Sequence, residues 1–129
     1  YVSAGKTGYT SKARRTLATS AMADGMELIA VTMNSNNDDY SVHRRLFEYG
    51  FSNYEMFMVL KRQIIKVNDD FYTETPIILE DIKYPVLENE NVTCTIKLLK
   101  NPGSKLIIGQ AVIVVNGKVV KRVNIYRYY

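Results

Sequence analysis

The sequence is poor in the residues that build disulfide or metal-bound scaffolds. It has one cysteine, Cys94, and one histidine, His43. A lone cysteine excludes a disulfide framework and a cysteine-based zinc site. A lone histidine excludes His-rich metal sites and the two-histidine zinc motif, and any Ser-His-Asp triad would have to use His43 as its base. No apolar run approaches the roughly 18 residues of a membrane span, and no secretory leader is visible. The chain begins at Tyr1 rather than Met. We therefore expect sequence to be missing upstream, so the absence of a leader says nothing about compartment. Neither sign of charge dominates: 17 Lys and Arg against 13 Asp and Glu leave a net +4. Such mild basicity suits an anionic neighbour, a cell wall or a small carboxylate, without demanding nucleic acid.

There is enough apolar sequence to fold. Hydrophobic residues make up 47 % of 129, which argues against disorder and allows one ordinary domain or two very small ones. Thr16 to Ala23 and Met26 to Asn34 are β-compatible runs joined by Asp24-Gly25, a strong hairpin signal. The second run is almost wholly apolar, as expected of a central strand. Asn34 to Asp39 reads as a loop, with Asp39 or Ser41 capping a helix. Val42, Leu46, Tyr49 and Gly50 follow at helical spacing, and Gly50 suits a stop near Phe51. Arg44, Arg45 and Glu48 fill the wet face, and His43 is expected on the exposed or half-exposed side.

Beyond Tyr54 the pattern turns to strands, over 57–67, 75–79, 91–99, 106–115 and 118–126. Asn68-Asp69-Asp70, Asn89-Glu90-Asn91, Asn101-Pro102-Gly103 and Asn116-Gly117 punctuate them, the last being the clearest hairpin signal. Short strands at this spacing suggest a small β-sandwich. We place a boundary near Glu55, giving domains 1–54 and 55–129. The first segment is too short to bury both faces of its sheet. It reads as the end of a larger domain, so exposed sheet surface and self-association or swapping are expected. Cys94 alternates with apolar neighbours as a small core residue would. Tyr126-Arg127-Tyr128-Tyr129, with Lys118, Lys121 and Arg122 nearby, suits a strand end better than a base-stacking or membrane-interface patch. Asn91-Val92-Thr93 spells a glycosylation sequon and is read as strand sequence.

One motif carries chemistry, Lys6-Thr7-Gly8. It matches the active-site strand of penicillin-binding and β-lactamase-type enzymes. There an ammonium and a hydroxyl on one strand edge hold a substrate carboxylate, a glycine admits the substrate backbone, and the next N–H serves an oxyanion hole. Gly5-Lys6-Thr7 also matches the end of a phosphate-binding loop, which needs a glycine one residue before Tyr1 and a helix afterwards. Gly8 to Ser11 begin a helix poorly. The third reading is chance.

The surrounding sequence favours the first. The runs Lys6 to Ala13, Thr16 to Ala21, Asp24 to Met33 and Leu46-Phe47-Glu48-Tyr49-Gly50-Phe51 closely resemble the D-alanyl-D-alanine carboxypeptidases, the low-molecular-mass penicillin-binding proteins. Tyr84-Pro85-Val86-Leu87, Gly109-Gln110-Ala111 and Asn116-Gly117-Lys118 are similar to the family's β-rich C-terminal domain. Ser3-Ala4 replaces the usual Asp-Gly, Gly5 replaces a bulky aliphatic, and Arg14 stands where a glycine is common. The resemblance implies an α+β fold: a truncated antiparallel sheet with one helix, then a small β-sandwich-like domain. It implies a serine peptidase that removes the terminal D-alanine of peptidoglycan stem peptides through an acyl-enzyme, uses no cofactor, is inhibited by β-lactams and binds no nucleic acid. Lys6 and Thr7 would hold the substrate carboxylate, Gly8 would complete the motif, and the Tyr9 N–H would serve the oxyanion hole.

The family's Ser-x-x-Lys and Ser-x-Asn motifs lie well upstream of Lys-Thr-Gly. Ser3-Ala4-Gly5-Lys6 and Ser35-Asn36-Asn37 spell both patterns, but strand positions three apart point to opposite faces, and Ser35 lies in a loop on the wrong side of the motif. The isolated chain is therefore expected to lack the nucleophile and to be inactive. The resemblance also implies an extracytoplasmic place in a bacterial envelope, and leaves open membrane attachment through a segment absent here. The alternative is a non-catalytic envelope module for binding or spacing.

Overall fold

The computed structural model describes residues 2–129. Tyr1, the first residue of the opening segment, lies outside them. The chain divides into two compact units, one running up to Met56 and including Pro85–Glu88, the other made of Phe57–Tyr84 and Asn89–Tyr129.

In the first unit, β1 (Val2–Thr10), β2 (Arg14–Ala23) and β3 (Met26–Met33) form an antiparallel sheet in the order β1-β2-β3. The Asp24-Gly25 hairpin is present, with φ of 50° and 76° at the two turn residues, as a type I′ turn needs. The central strand is β2. The more apolar β3 is at an edge among the described residues, contrary to expectation. Its side chains alternate in burial, so Ile29, Val31 and Met33 stay exposed while Met26 and Ala30 are buried. A run of apolar residues means two hydrophobic faces, and only one of these is covered by described residues.

Helix α1 (Asp39–Asn53) covers that face. Its buried stripe is Asp39, His43, Phe47 and Gly50; of the expected Val42, Leu46, Tyr49 and Gly50, only Gly50 belongs to it, and the other three stand one residue out of step. Leu46 and Tyr49 are exposed, and His43, expected outside, is buried. The strongest apolar spacing misled because the inward positions include a polar pair that the sheet satisfies. Asp38 takes the cap position without a side-chain capping bond. Asp39 turns inward instead, and Ser41 Oγ donates to the Asp38 carbonyl. Gly50 is not a stop: the helix continues past it, and a Cβ at Gly50 would overlap the Leu28 side chain. The core here is small, with Ala21, Ala30 and Phe47 supported by Leu28 and Phe51. Two alanines on the sheet let the helix approach closely.

The second unit holds most of the remaining strands. The expected run over 57–67 splits into β4 (Tyr54–Leu60), which starts in the first unit, and β5 (Gln63–Ile64). The break falls at exposed Lys61 and Arg62, where the Arg62 N–H donates to Asp81 Oδ1 at 2.9 Å. Then come β6 (Pro76–Ile78), β7 (Ile82–Leu87), β8 (Val92–Leu98), β9 (Ile107–Val115) and β10 (Lys118–Arg127). Strand β7 carries Pro85, which weakens a strand reading from sequence. It pairs with β4 in a two-stranded sheet. The other five form an antiparallel sheet in the order β5-β6-β10-β9-β8. Asn116-Gly117 turns the β9-β10 hairpin with φ of 48° and 79°. Ile78, Ile82, Ile108, Ala111, Ile113 and Ile125 form the core, with Val59 and Leu60 packed against it. Two layers of strands around an aliphatic core make the expected sandwich-like arrangement. Cys94 packs half-buried on this core, and burial pushes its thiol above the usual range. Tyr126 and Arg127 of the tyrosine-rich tail end β10, and Arg127 pairs with Glu74 at 2.6 Å.

Candidate functional site

Strand β1 carries the whole Lys6-Thr7-Gly8-Tyr9 run, and every described residue of it is exposed. It is an edge strand, paired with β2 on one side and with no described strand on the other. Cross-strand partners share a face. Thr7 opposes buried Leu17, and Gly5 opposes buried Thr19, so both lie on the helix-covered face. Lys6 opposes Ala18 and Gly8 opposes Thr16, on the other face. The ammonium and hydroxyl therefore lean to opposite sides of the strand. Both residues nevertheless line one groove beside the strand. The Lys6 Nζ folds back onto the Thr7 carbonyl at 2.5 Å.

At Gly8 the constraint comes from contact rather than from backbone angle. A Cβ there would sit 2.8 Å from Thr16 Oγ1. At Gly5 a Cβ would approach Thr19 Cγ2 to 3.1 Å. Beside Gly5 and Thr7, a groove of about 860 Å³ runs between β1 and α1 over Leu17, Thr19, His43 and Phe47.

Two polar contacts between α1 and the sheet were missed from sequence. His43 bridges neighbouring strands: its Nδ1 lies 2.6 Å from Thr19 Oγ1 on β2 and its Nε2 lies 3.1 Å from Thr32 Oγ1 on β3. Hydroxyls can donate or accept, so either ring tautomer satisfies both contacts. Phe47 packs edge-on against the imidazole, with ring centroids 6.4 Å apart. One turn earlier, Asp39 is fully buried and accepts from Arg15 Nε at 2.6 Å. Arg15 also lies over the Tyr40 ring, at 5.7 Å. The hydrogen bond from Arg15 holds the Asp39 carboxyl below its usual range against the opposing effect of burial, and Asp39 raises Arg15 in turn. Arg15 opposes Tyr9 in register, and Thr19 opposes Gly5. Both contacts thus grip β2 at positions that face the motif strand. The available signal was a threonine on each of two adjoining strands, with a lone histidine on the following helix.

Ser3 sits at an irregularity in the β1-β2 register, between Val2 and Ala4, so the simple alternation expected to separate its side chain from that of Lys6 does not hold there. Ser35 follows β3 and its hydroxyl donates to Asp38 Oδ1 at 3.3 Å. Arg14, where the resembling family often has glycine, holds a φ of 55°. No group of three or more potential metal ligands occurs among the described residues.

Comparison with known proteins adds an independent line. Residues 1–37 match the family model described as D-alanyl-D-alanine carboxypeptidase. No curated protein sequence matches the chain. Among solved structures, penicillin binding protein 5 from Haemophilus influenzae is 20 % identical with a TM-score of 0.63, covering 95 % of this chain and 40 % of that one. The D-alanyl-D-alanine carboxypeptidase DacD from Francisella tularensis is 20 % identical with a TM-score of 0.65, covering 96 % of this chain and 34 % of that one. The chain therefore spans well under half the length of either protein, and at this identity the likeness is one of fold. The chain is similar to the D-alanyl-D-alanine carboxypeptidase family over residues 1–37, and it shares the fold of these two solved structures over nearly its whole length.

Proposed function

We propose that this chain supplies the substrate-carboxylate side of a serine-type D-alanyl-D-alanine carboxypeptidase, and that the acylated serine comes from sequence outside it. The observation that carries the reading is an exposed edge strand bearing Lys6-Thr7-Gly8, inside the stretch that matches the carboxypeptidase family. A substrate peptide ending in D-alanyl-D-alanine lies along the free edge of β1. Lys6 supplies a positive charge for its terminal carboxylate, and the Thr7 hydroxyl donates from the other side of the same edge. Gly8 keeps the strand free of a side chain where the substrate passes. The Tyr9 N–H polarises the scissile carbonyl as charge develops on its oxygen. The serine attacks that carbonyl, the D-alanine amine leaves with a proton, and water then cleaves the acyl-enzyme.

This reading puts the protein outside the cytoplasm at a bacterial cell wall, with β-lactams as inhibitors of the longer protein. The exposed Met22, Ile29, Val31 and Met33 then mark sheet surface that makes the chain associate with itself when alone. Light scattering of the chain across a concentration series checks this, and a strictly monomeric result counts against it.

Intact-mass analysis after exposure to a penicillin tests the function. The chain alone, and a polypeptide extended upstream by roughly 200 residues of the native sequence, are compared. A single-drug adduct on the longer polypeptide only is expected. An adduct on the chain itself overturns the division of the site. No adduct on a folded longer polypeptide overturns the enzyme reading and favours an envelope module that binds or spaces.

A further inference from the structure

The second unit has an unfilled place in its main sheet. Strand β10 pairs with β9 along most of its length, from Lys118 to Tyr126. On its other side it meets β6 only through Tyr126 and Arg127, because β6 ends at Ile78. From Lys118 to Ile125, no described strand pairs with that side. A cavity of about 450 Å³ opens there, lined by Lys121, Arg122, Val123, Asn124 and Tyr126 of β10 and by Leu79 and Glu80 beyond β6. Side chains of a strand alternate between faces, so four consecutive residues cannot line a cavity from one face. The cavity looks onto the backbone edge itself.

Free N–H and C=O groups on such an edge template another strand. Which strand is decided by charge. Lys121 and Arg122 are both exposed, and neither makes an ion pair among the described residues. The register skips Val120 between Val119 and Lys121, so two cations follow each other directly after a bulge. Two copies of this edge would bring like charges together, which disfavours self-pairing. An incoming acidic strand meets complementary charge instead.

We propose that the open side of β10, over Val119–Asn124, binds an extended acidic peptide segment of a partner protein as an added strand. Main-chain hydrogen bonds supply the affinity, and Lys121 and Arg122 select for carboxylates. Leu79 offers an apolar contact at the β6 end. Glu80 excludes a further acid there, so the acidic residues of the ligand lie towards the Lys121 end.

The test uses the 129-residue chain, isotope-labelled, and a capped peptide of sequence Glu-Val-Glu-Thr-Glu-Val. Amide shifts confined to 119–124 and 79–80 are expected. A peptide N-methylated at alternate amides keeps the charge but cannot pair, and should bind at least about tenfold more weakly. The K121E/R122E variant, altered only at exposed positions, should lose at least about tenfold for the unmodified peptide and keep the shift pattern of the folded chain. Equal binding of the N-methylated peptide overturns the proposal. So do shifts centred elsewhere, no binding at millimolar peptide, or equal perturbation of the same amides by single-stranded DNA or phosphatidylserine vesicles.

Discussion

Replacing His43 with alanine should loosen α1 from the sheet that carries the Lys-Thr-Gly strand. The imidazole is 2 % exposed and contacts Thr19 Oγ1 at 2.6 Å and Thr32 Oγ1 at 3.1 Å. Removing it leaves the Thr19 hydroxyl, on a residue only 8 % exposed, without this partner. An unmet buried hydroxyl costs about 1–3 kcal/mol. The void beside Phe47 adds roughly 1–2 kcal/mol, since a buried side chain lost from so small a core cannot be fully replaced by collapse. The expected loss is therefore about 3 kcal/mol, a large part of the stability of an ordinary domain. Thr19→Val removes the other partner while keeping shape, and should cost about 1–2 kcal/mol. The double variant should cost less than the sum by about 1 kcal/mol, because the second change no longer strands a partner. Urea melts followed by the far-UV helical band read this directly, because α1 is the one α-helix among the described residues. A His43→Ala loss under about 1 kcal/mol, or strict additivity with Thr19→Val, would refute the buried bridge.

Arg14→Gly should stabilise the first unit by about 1 kcal/mol, because Arg14 holds a left-handed φ of 55° that glycine adopts without a Cβ penalty. The same urea melt checks it. Gly109→Ala should destabilise the second unit by about 1–3 kcal/mol, since the new Cβ would sit 2.6 Å from the Lys97 carbonyl oxygen and 3.2 Å from Leu98 Cα, and backbone cannot step aside as a side-chain end can. Loss of amide-exchange protection in β8 and β9 is the readout. The Asp39 carboxyl, held below its usual range chiefly by Arg15, should stabilise the fold fully above the ordinary carboxylate range. That contribution is lost as pH falls through the lowered folded value. Asp39→Asn should therefore show a weaker acid dependence of its urea midpoint than the parent chain, and an unchanged acid limb would remove Asp39 from the account.

The local turns and alternating strands were legible because they depend on near neighbours. Asp24-Gly25 and Asn116-Gly117 carry their left-handed geometry in the residue types themselves. Lys6-Thr7-Gly8 was legible as a motif for the same reason: three adjacent residues state it. What could not be read was anything settled across the fold. Helical spacing of Val42, Leu46 and Tyr49 looked like the inner stripe, yet the inward face holds Asp39 and His43 because Arg15, Thr19 and Thr32 are there to satisfy them. Apolarity in β3 measured how many faces are hydrophobic and not how many neighbours the strand has. Gly50 looked like punctuation, but its reason is the approach of the Leu28 side chain from β3.

These long-range contacts bear on the site more than the motif does by itself. Strand β1 is exposed throughout and has one strand neighbour among the described residues, so its shape is set by β2. Two residues that fix β2 to α1, Arg15 and Thr19, stand opposite Tyr9 and Gly5, on either side of Lys6-Thr7-Gly8. Slippage of β2 by one residue would move Thr7 to the face now held by Lys6 and reverse the chemistry offered on each side. The Arg15–Asp39 pair and the His43 bridge resist that slip, because each requires its β2 partner to face the helix. An edge strand with an ammonium on one side and a hydroxyl on the other gains its definition from a buried polar seam one strand away.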